Sequence, residues 1–269
     1  MTAETKATAE TNAPLLLRED ADGICRLTLN RPAQRNALSL PLLNEMKTAL
    51  ARIAEDRQVK VVILSGAGPA FCAGHDLKEL RANPTHAFYD QVFNRCSEVM
   101  LAMTHLPQPV IAQVHGIATA AGCQLVATAD LAVAAADARF ATPGVNIGLF
   151  CSTPMVALTR AAPRKQAMEM LLTGEMVDAA RAQTIGLVNR TVPADRLEGE
   201  TRALAMQIAA KSPLTLKIGK AAFYRQAELG LAEAYAHASQ VMAENMMALD
   251  AAEGIDAFLG KRKPEWKGC

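Results

Sequence analysis

The chain has 269 residues, of which 51% are hydrophobic, 20% are charged and 4% are aromatic, and its formal net charge is +1. This length suffices for one large core with a helical appendage. The balanced charge argues against a nucleic-acid-binding protein, because no basic excess is available to neutralise phosphates. No apolar run approaches the roughly 18 residues of a membrane-spanning helix, so no membrane partner is expected.

The N-terminus and the cysteines both indicate the cellular compartment. The first residues carry Glu4 and Glu10 against Lys6 alone, whereas targeting leaders are positively charged and poor in acidic residues. The six cysteines form no CxxC pair, so neither disulfides nor a metal site is predicted. These features together predict a cytoplasmic protein.

Strands alternate with helices as far as about residue 150. A hairpin is predicted where LLLRE and ICRLTLN flank a turn at Asp22-Gly23, and a helix is expected after Ser39. The runs KVVILSG, VIAQVHG and LAVAAAD have the length and composition of buried strands. This order predicts an α/β fold with crossover connections. The predicted organisation is a disordered tail over 1–13, a core over 14–205 and a helical C-terminal region over 206–269.

A strand-to-helix turn occurs in FCAGHDLKE, residues 71–79. The chain turns at Gly74, and Asp76 begins a helix with Glu79 three residues later, which predicts a capping box. The turn before it would aim free backbone N–H groups, such as that of Ala73, into a cleft. Local physics alone is equally consistent with an ordinary connecting turn.

A second turn of this kind occurs in VHGIATAAGCQL, residues 114–125. Gly116 permits the bend, and a helix that begins near Ala121 would point its unpaired N–H groups and its positive dipole end at the same cleft. Two backbone donors that meet on one oxygen form an oxyanion hole. Such a site stabilises the enolate or the tetrahedral oxyanion formed from a thioester carbonyl.

Four further segments occur with these turns, in this order: LNRPAQRNAL at 29–38, FATPGVNIGLF at 140–150, LTGEMVDAARAQTIGLVNRTV at 172–192 and FLGKRKPEW at 258–266. From Leu15 to Lys267 the chain thereby resembles the crotonase (enoyl-CoA hydratase/isomerase) superfamily, in particular its enoyl-CoA hydratase domain-containing branch. The resemblance implies a spiral of ββα turns with a C-terminal helical trimerisation region. It also implies a homotrimer, or a hexamer built as a dimer of trimers.

The resemblance assigns roles to both turns. Ala73 and Ala121 would supply the two N–H groups of the oxyanion hole. The loop of Ala73, His75, Asp76 and Leu77 would border the adenine and pantetheine of coenzyme A. Coenzyme A enters only as part of the thioester substrate, and no permanently bound cofactor is implied.

Other residues are implied to contact coenzyme A from further along the chain. Arg35 would lie near the phosphates, where a guanidinium suits phosphate oxygens, and Lys78 is a weaker candidate for the same contact. Phe258 and Lys261 resemble residues of a C-terminal helix that reaches the ligand, often from a neighbouring subunit. The alternatives are a surface arginine, a solvated lysine, a core phenylalanine and a basic helix end.

This chain departs from the family pattern at the two positions where a hydratase carries glutamates. Gln124 can orient a water molecule but cannot take its proton, and Gly144 has no side chain. His75 is the first candidate for a substitute base, whereas Cys151 lacks the neighbouring base that a nucleophile needs. The sequence therefore predicts an enoyl-CoA hydratase-like enzyme with weak or altered hydration. The alternative is an acyl-CoA-binding protein without turnover; a hydrolase would need a carboxylate nucleophile that the predicted pocket lacks.

Overall fold

A computed structural model of the chain describes residues 13–269, so the predicted tail lies almost wholly outside the described residues. Nine strands and eleven α-helices follow one another in this part of the chain. In order they are β1 (Leu16–Ala21), β2 (Ile24–Leu29), α1 (Leu40–Glu55), β3 (Val61–Gly66), α2 (Leu77–Ala82), α3 (His86–His105), β4 (Val110–Val114), β5 (Ile117–Thr119), α4 (Ala121–Thr128), β6 (Leu131–Ala135), β7 (Arg139–Ala141), α5 (Ser152–Ala161), α6 (Arg164–Thr173), β8 (Val177–Asp178), α7 (Ala179–Thr184), β9 (Arg190–Val192), α8 (Leu197–Ala209), α9 (Pro213–Gln226), α10 (Leu231–Met246) and α11 (Leu249–Leu259).

The first elements form as local sequence dictates. β1 and β2 pair antiparallel around Asp22 and Gly23, whose φ angles of 54° and 76° give the two positive values of a type I′ hairpin turn. Ser39 caps α1 by accepting a hydrogen bond from the N–H of Leu42 at 3.4 Å. Both predictions are confirmed.

The strands form two sheets between which the chain alternates. The larger sheet has the order β1-β2-β3-β4-β6-β9, and the smaller has the order β5-β7-β8. β4 is followed by β5 and then α4, and Cys72 after β3 bridges Ala118 of the smaller sheet in the same parallel sense. The repeated unit is two strands, one in each sheet, and then a helix. The predicted α/β fold with ββα turns is confirmed.

Both faces of the larger sheet are covered, which explains why its strands are continuously apolar. In β3, Val62 and Leu64 join the main core with α1 and α3, whereas Val61 and Ile63 join a second core beneath α8. All four side chains are buried. Because β3 and its neighbours are packed on both faces, the starting positions of the loops at their carboxyl ends are fixed.

The helical C-terminal region remains a predicted unit. α8 runs across its predicted start at 205/206 and packs on the larger sheet, and α9 follows at Pro213. α9 is fixed to the core by Lys220, whose Nζ lies 2.6 Å from a carboxylate oxygen of Asp130, and by Tyr224, which donates to the same carboxylate at 2.9 Å. Asp130 thereby joins α9 to the loop between α4 and β6.

Neither a membrane-spanning helix nor a cluster of metal ligands occurs in residues 13–269. None of their helices is both long and apolar enough to cross a membrane. Within the same residues no group of three or more His, Cys, Asp or Glu side chains is placed to hold a metal ion.

Candidate active site

The loop between β3 and α2 is held from both sides. Cys72 exchanges two hydrogen bonds with β5, at 3.1 and 2.9 Å. On the other side, the N–H of Leu38 donates to Gly74 O at 2.7 Å, and the N–H of Asp76 donates to Leu38 O at 3.1 Å. In such a parallel bridge the residue between the two bonds points its own N–H the other way. The N–H of His75 therefore faces away from Leu38.

The structure contradicts the prediction that Ala73 supplies a free donor. Its N–H donates to the carbonyl of Arg35 at 2.9 Å. The N–H groups of the next two residues, Gly74 and His75, make no backbone hydrogen bond to the described residues, and that of His75 is the one that faces away from Leu38. The Arg35 and Leu38 contacts join segments more than 30 residues apart, so local sequence could not reveal which N–H of the loop donates a hydrogen bond within the protein.

The second donor lies at the start of α4. Ala121 is the first residue of this helix, and its N–H has no acceptor among residues 13–269. The preceding residue, Ala120, has φ 49° and ψ −118°, a conformation in which an L-residue is strained. Its N–H is fixed by the carbonyl of Ala141 at 2.9 Å. Strain at the residue before a free donor is typical of a functional position.

The two turns touch one another. A Cβ on Gly74 would lie 2.8 Å from the Cβ of Ala120 and 3.3 Å from the nitrogen of Ala121. A Cβ on Gly122 would lie 2.1 Å from the carbonyl oxygen of Cys72. Only glycine permits these approaches, which bring the His75 loop against the N-terminus of α4. The two turns are therefore in contact, and their meeting at one cleft stays a prediction.

Asp76 anchors the loop rather than lining the cleft. One carboxylate oxygen accepts from the N–H groups of Lys78 and Glu79 at 3.1 and 3.2 Å, and the other pairs with Arg31 at 2.8 Å. Burial opposes the charge, but these three partners hold the pKa of Asp76 below its usual range. Glu79 does not return the bond of a capping box; it accepts from the N–H of Leu40 at 2.9 Å.

The imidazole of His75 is buried without a polar partner. Its ring packs edge-on against Phe93, with 5.1 Å between the centroids. Neither ring nitrogen has a hydrogen-bond partner among the described residues. Burial lowers the pKa of His75 to about 4, so the ring is neutral at pH 7. A base with such a pKa accepts a proton poorly, which weakens the prediction that His75 replaces a glutamate.

Gln124 packs against α3, the helix that also contacts this imidazole. It follows Ala121 by three residues and so shares its face of α4, and helix side chains lean back toward the N-terminus. Gln124 is buried, and its Oε1 has only the Cys96 thiol near it, at 4.0 Å. Phe93 and Cys96 are one turn apart on α3, so His75 and Gln124 occupy adjacent positions against that helix.

The backbone has closed over Gly144. This residue lies in a 3-10 helix, Pro143–Ile147, rather than in a strand. A Cβ here would meet the carbonyl oxygen of Leu149 at 2.5 Å and the sulfur of Cys151 at 2.9 Å. The position therefore lacks the space for a carboxylate as well as the carboxylate itself. Burial raises the pKa of the Cys151 thiol, which disfavours a thiolate nucleophile.

Comparison with known proteins settles the family. The family model described as enoyl-CoA hydratase/isomerase matches residues 19–269. A relative from Xenopus laevis, enoyl-CoA hydratase domain-containing protein 3, mitochondrial, is 48% identical over 95% of this chain and 87% of its own length. This chain belongs to the enoyl-CoA hydratase/isomerase family.

Solved crotonase-type structures agree with this membership. An enoyl-CoA hydratase from Mycobacterium smegmatis is 55% identical, with a TM-score of 0.93 over 94% of this chain and 99% of that one. Human enoyl Coenzyme A hydratase domain-containing protein 3 is 47% identical, with a TM-score of 0.92 over 94% of this chain and 100% of that one. The predicted crotonase-like fold, including its C-terminal helices, is confirmed.

The prediction of a cytoplasmic protein is wrong. The relatives from Xenopus laevis, Mus musculus, Rattus norvegicus and Homo sapiens, which are 48–49% identical to this chain, are all named as mitochondrial proteins. Glu4, Lys6 and Glu10, on which the prediction partly depended, lie before residue 13, outside the described residues.

The residues assigned to coenzyme A in this crotonase remain predictions. Arg35 is exposed, and it lies beside the site because its carbonyl accepts a hydrogen bond from Ala73. Its φ of 50° and that of Asn36, 56°, both lie in the left-handed region. Leu77 and Lys78 are exposed at the start of α2. Phe258, which is 82% exposed, and Lys261 lie at the end of α11, which packs on α9 and α10.

Proposed function

We propose that this crotonase binds the thioesters of coenzyme A and polarises their carbonyl between the N–H groups of His75 and Ala121. The observation that carries the proposal is a pair of backbone donors without acceptors, from two turns that touch at Gly74. Donors fixed in advance at a buried position stabilise the negative charge that develops on a thioester oxygen. The positive end of the α4 dipole adds to this effect.

Hydration of an enoyl thioester by this protein is feeble. The family's reaction needs one group that takes a proton from water and one that returns a proton to carbon, and each contributes about 100- to 10,000-fold. Gln124 is not a base, and the closed backbone leaves no room for a carboxylate at Gly144. Substituting glutamate at both positions therefore does not restore a hydratase, because a side chain at position 144 would clash with Leu149 O and Cys151 Sγ.

Calorimetry with acetyl-, crotonyl- and decanoyl-CoA tests the binding. We expect dissociation constants in the micromolar range, equivalent to roughly −8 kcal/mol. The variant Ala121→Pro removes one donor at the first position of a helix, where proline is tolerated, and its ring would fill the site of the carbonyl oxygen. We expect at least a tenfold loss of affinity, and also a lower melting temperature, because proline at position 121 adds to the strain of Ala120 at φ 49° and ψ −118°. No heat from wild type with any thioester at about 1 mM would refute the proposal.

A second candidate function is binding without turnover, in which the protein retains or senses acyl-CoA. The closure at Gly144 favours it, since that position has no room for a carboxylate, and burial lowers the pKa of His75 to about 4, which makes the imidazole a weak base. Turnover of any thioester at a rate that falls in a Gln124→Leu or His75→Phe variant would decide for the enzyme. If the thioester disappears at the same slow rate with wild type, Gln124→Leu and His75→Phe, the protein binds acyl-CoA without turnover.

Self-association is part of the proposal. α10 has no fully buried residue, and Tyr235, Met242, Met246 and Met247 expose more apolar surface than an isolated surface helix carries. We expect light scattering at micromolar concentration to give a trimer or a hexamer. A clean monomer would show that these side chains serve another purpose.

A further inference from the structure

The three C-terminal helices lie apart from both hydrophobic cores. α9, α10 and α11 pack chiefly on one another. Within residues 13–269, neither core includes a buried or half-buried apolar side chain from these helices. α9 and α10 have no fully buried residue. The apolar burial that usually fixes a helix in place therefore contributes little to their docking on the rest of the protein.

These helices are held to one another as one body, residues 212–269, which we call the helical lobe. The carboxylate of Asp250, in α11, accepts from the hydroxyl of Ser212, the N-cap of α9, at 2.5 Å. It also accepts from the N–H groups of Lys267 and Gly268 at 2.7 and 3.0 Å. Burial opposes the charge of Asp250, but these donors hold its pKa below its usual range. The lobe therefore has internal contacts that do not depend on the rest of the protein.

A buried ion pair joins the helical lobe to the core. The Nζ of Lys220 lies 2.6 Å from a carboxylate oxygen of Asp130, and it also donates to the carbonyl oxygens of Met103 and Gln108 at 2.9 and 3.0 Å. Tyr224, one turn later on α9, donates to the other oxygen of this carboxylate at 2.9 Å. The side chain of Lys220 is only 7% exposed. All three donors of its ammonium group are therefore used by acceptors of the core.

Few other polar contacts hold the lobe. Asp130 is itself fixed in the core, because it accepts from the N–H of Val110 at the start of β4, at 2.7 Å. Arg160 of α5 pairs with Glu228 at 3.1 Å, but both side chains are exposed, and such pairs stabilise little. Among the residues that the structure describes, no further side-chain hydrogen bond or ion pair joins the lobe to residues 13–209. The docking of the lobe therefore depends on the buried pair.

We propose that the helical lobe moves as one body against the core, and that the ion pair between Lys220 and Asp130 is the latch that holds it closed. The connection between α8 and α9 is the hinge, where the indole N–H of Trp266 donates to Ala210 O at 2.9 Å. Opening returns both charges of the latch to water, so it costs far less free energy than unfolding either hydrophobic core. The exposed apolar side chains of α10 move with the lobe.

The amino group of Lys220 reports the state of the latch, because it reacts with an amine reagent only while the latch is open. A succinimidyl ester, with peptide mass spectrometry of the native wild-type protein, should label Lys220 about 100- to 10,000-fold more slowly than Lys217, an exposed lysine on the same helix. A maleimide should label Cys96, which is buried in the main core, relative to the exposed Cys269. The protection of Cys96 should exceed that of Lys220 at least tenfold, because only unfolding of the core exposes Cys96.

Two variants separate the latch from the exposed ion pair. Asp130→Asn removes the charge that holds the ammonium group, so it should speed the labelling of Lys220 at least tenfold relative to Lys217. Glu228→Gln breaks the exposed pair with Arg160 and should leave that ratio unchanged. Equal effects of the two variants would show that the buried pair is not the latch.

Motion as one body is tested by a charge reversal. Lys220→Glu places a like charge beside Asp130 and should hold the latch open, while far-ultraviolet circular dichroism keeps the helix content of the control Lys217→Glu. A loss of helix content in Lys220→Glu alone would show that the lobe unfolds instead of moving. The wild-type labelling decides even if a variant does not fold. Equal protection of Lys220 and Cys96 would overturn the proposal, because the lobe would then open only with global unfolding, and labelling of Lys220 as fast as Lys217 would show that the latch does not form.

Discussion

The two positions at which the sequence predicts a missing hydratase glutamate differ in what surrounds them. Gln124 is buried and has the length of a glutamate. At Gly144, the carbonyl oxygen of Leu149 and the sulfur of Cys151 occupy the space into which a side chain would project. The first position therefore has room for a carboxylate, and the second does not.

The largest expected effect is at the closed position. Gly144→Ala should destabilise the protein by about 2–3 kcal/mol, because its Cβ must displace backbone. Gly219→Ala is the matched control, since a Cβ there meets nothing within 4 Å and the residue lies inside α9. The control should be stabilised by about 0.5–1 kcal/mol. Urea unfolding of both variants measures the difference, and equal stabilities would show that position 144 is open.

Gln124→Glu should destabilise less, and in a pH-dependent manner. A buried carboxylate has its pKa raised, so the cost is absent at acid pH and grows as the pH rises above about 4.3, the value in the unfolded chain. We expect about 1–3 kcal/mol at pH 8 and little at pH 4.5. The steric cost of Gly144→Ala should be the same at both pH values. A loss of stability in Gln124→Glu that does not depend on pH would contradict the difference drawn between positions 124 and 144.

His75 should make an opposite contribution of comparable size to the pH dependence of wild type. Burial lowers its pKa from 6.5 to about 4, so the unfolded chain binds the proton more readily in this interval. Stability should therefore fall as the pH drops from about 6.5 toward 4, and His75→Phe should flatten that slope. His86→Phe should not, because His86 is exposed. An unchanged slope in His75→Phe would place the imidazole in solvent.

The smallest effect should come from the strained residue before α4. Ala120→Gly relieves a φ of 49° that glycine adopts freely, and we expect a gain of about 1 kcal/mol in stability at most. The same change loosens the position of the Ala121 N–H, so thioester affinity should fall by less than tenfold. Calorimetry and thermal unfolding of one variant measure both. A rise in affinity would mean that the strain does not serve binding.

The sequence predicted the hairpin at Asp22 and the helix after Ser39, because both follow from residues within a few positions of one another. The donor of the first turn does not, because Arg35, which arrives from another segment, takes the N–H of Ala73. The closure at Gly144 is local, since the N–H of Leu149 donates to Gly144 O at 2.9 Å, but it was missed because residues 140–150 were read as a strand rather than as a 3-10 helix.

We propose that the protein polarises a thioester without adding water to it. Polarisation and hydration are both tested by one measurement, the ultraviolet spectrum of crotonyl-CoA followed over time with stoichiometric protein. Polarisation by the N–H groups of His75 and Ala121 should shift the enoyl thioester band to longer wavelength, and that shifted band should persist for many minutes. Loss of the band at an ordinary enzyme rate, about 1–1,000 per second, would contradict the account. A band that stays unshifted in the presence of bound ligand would contradict it equally.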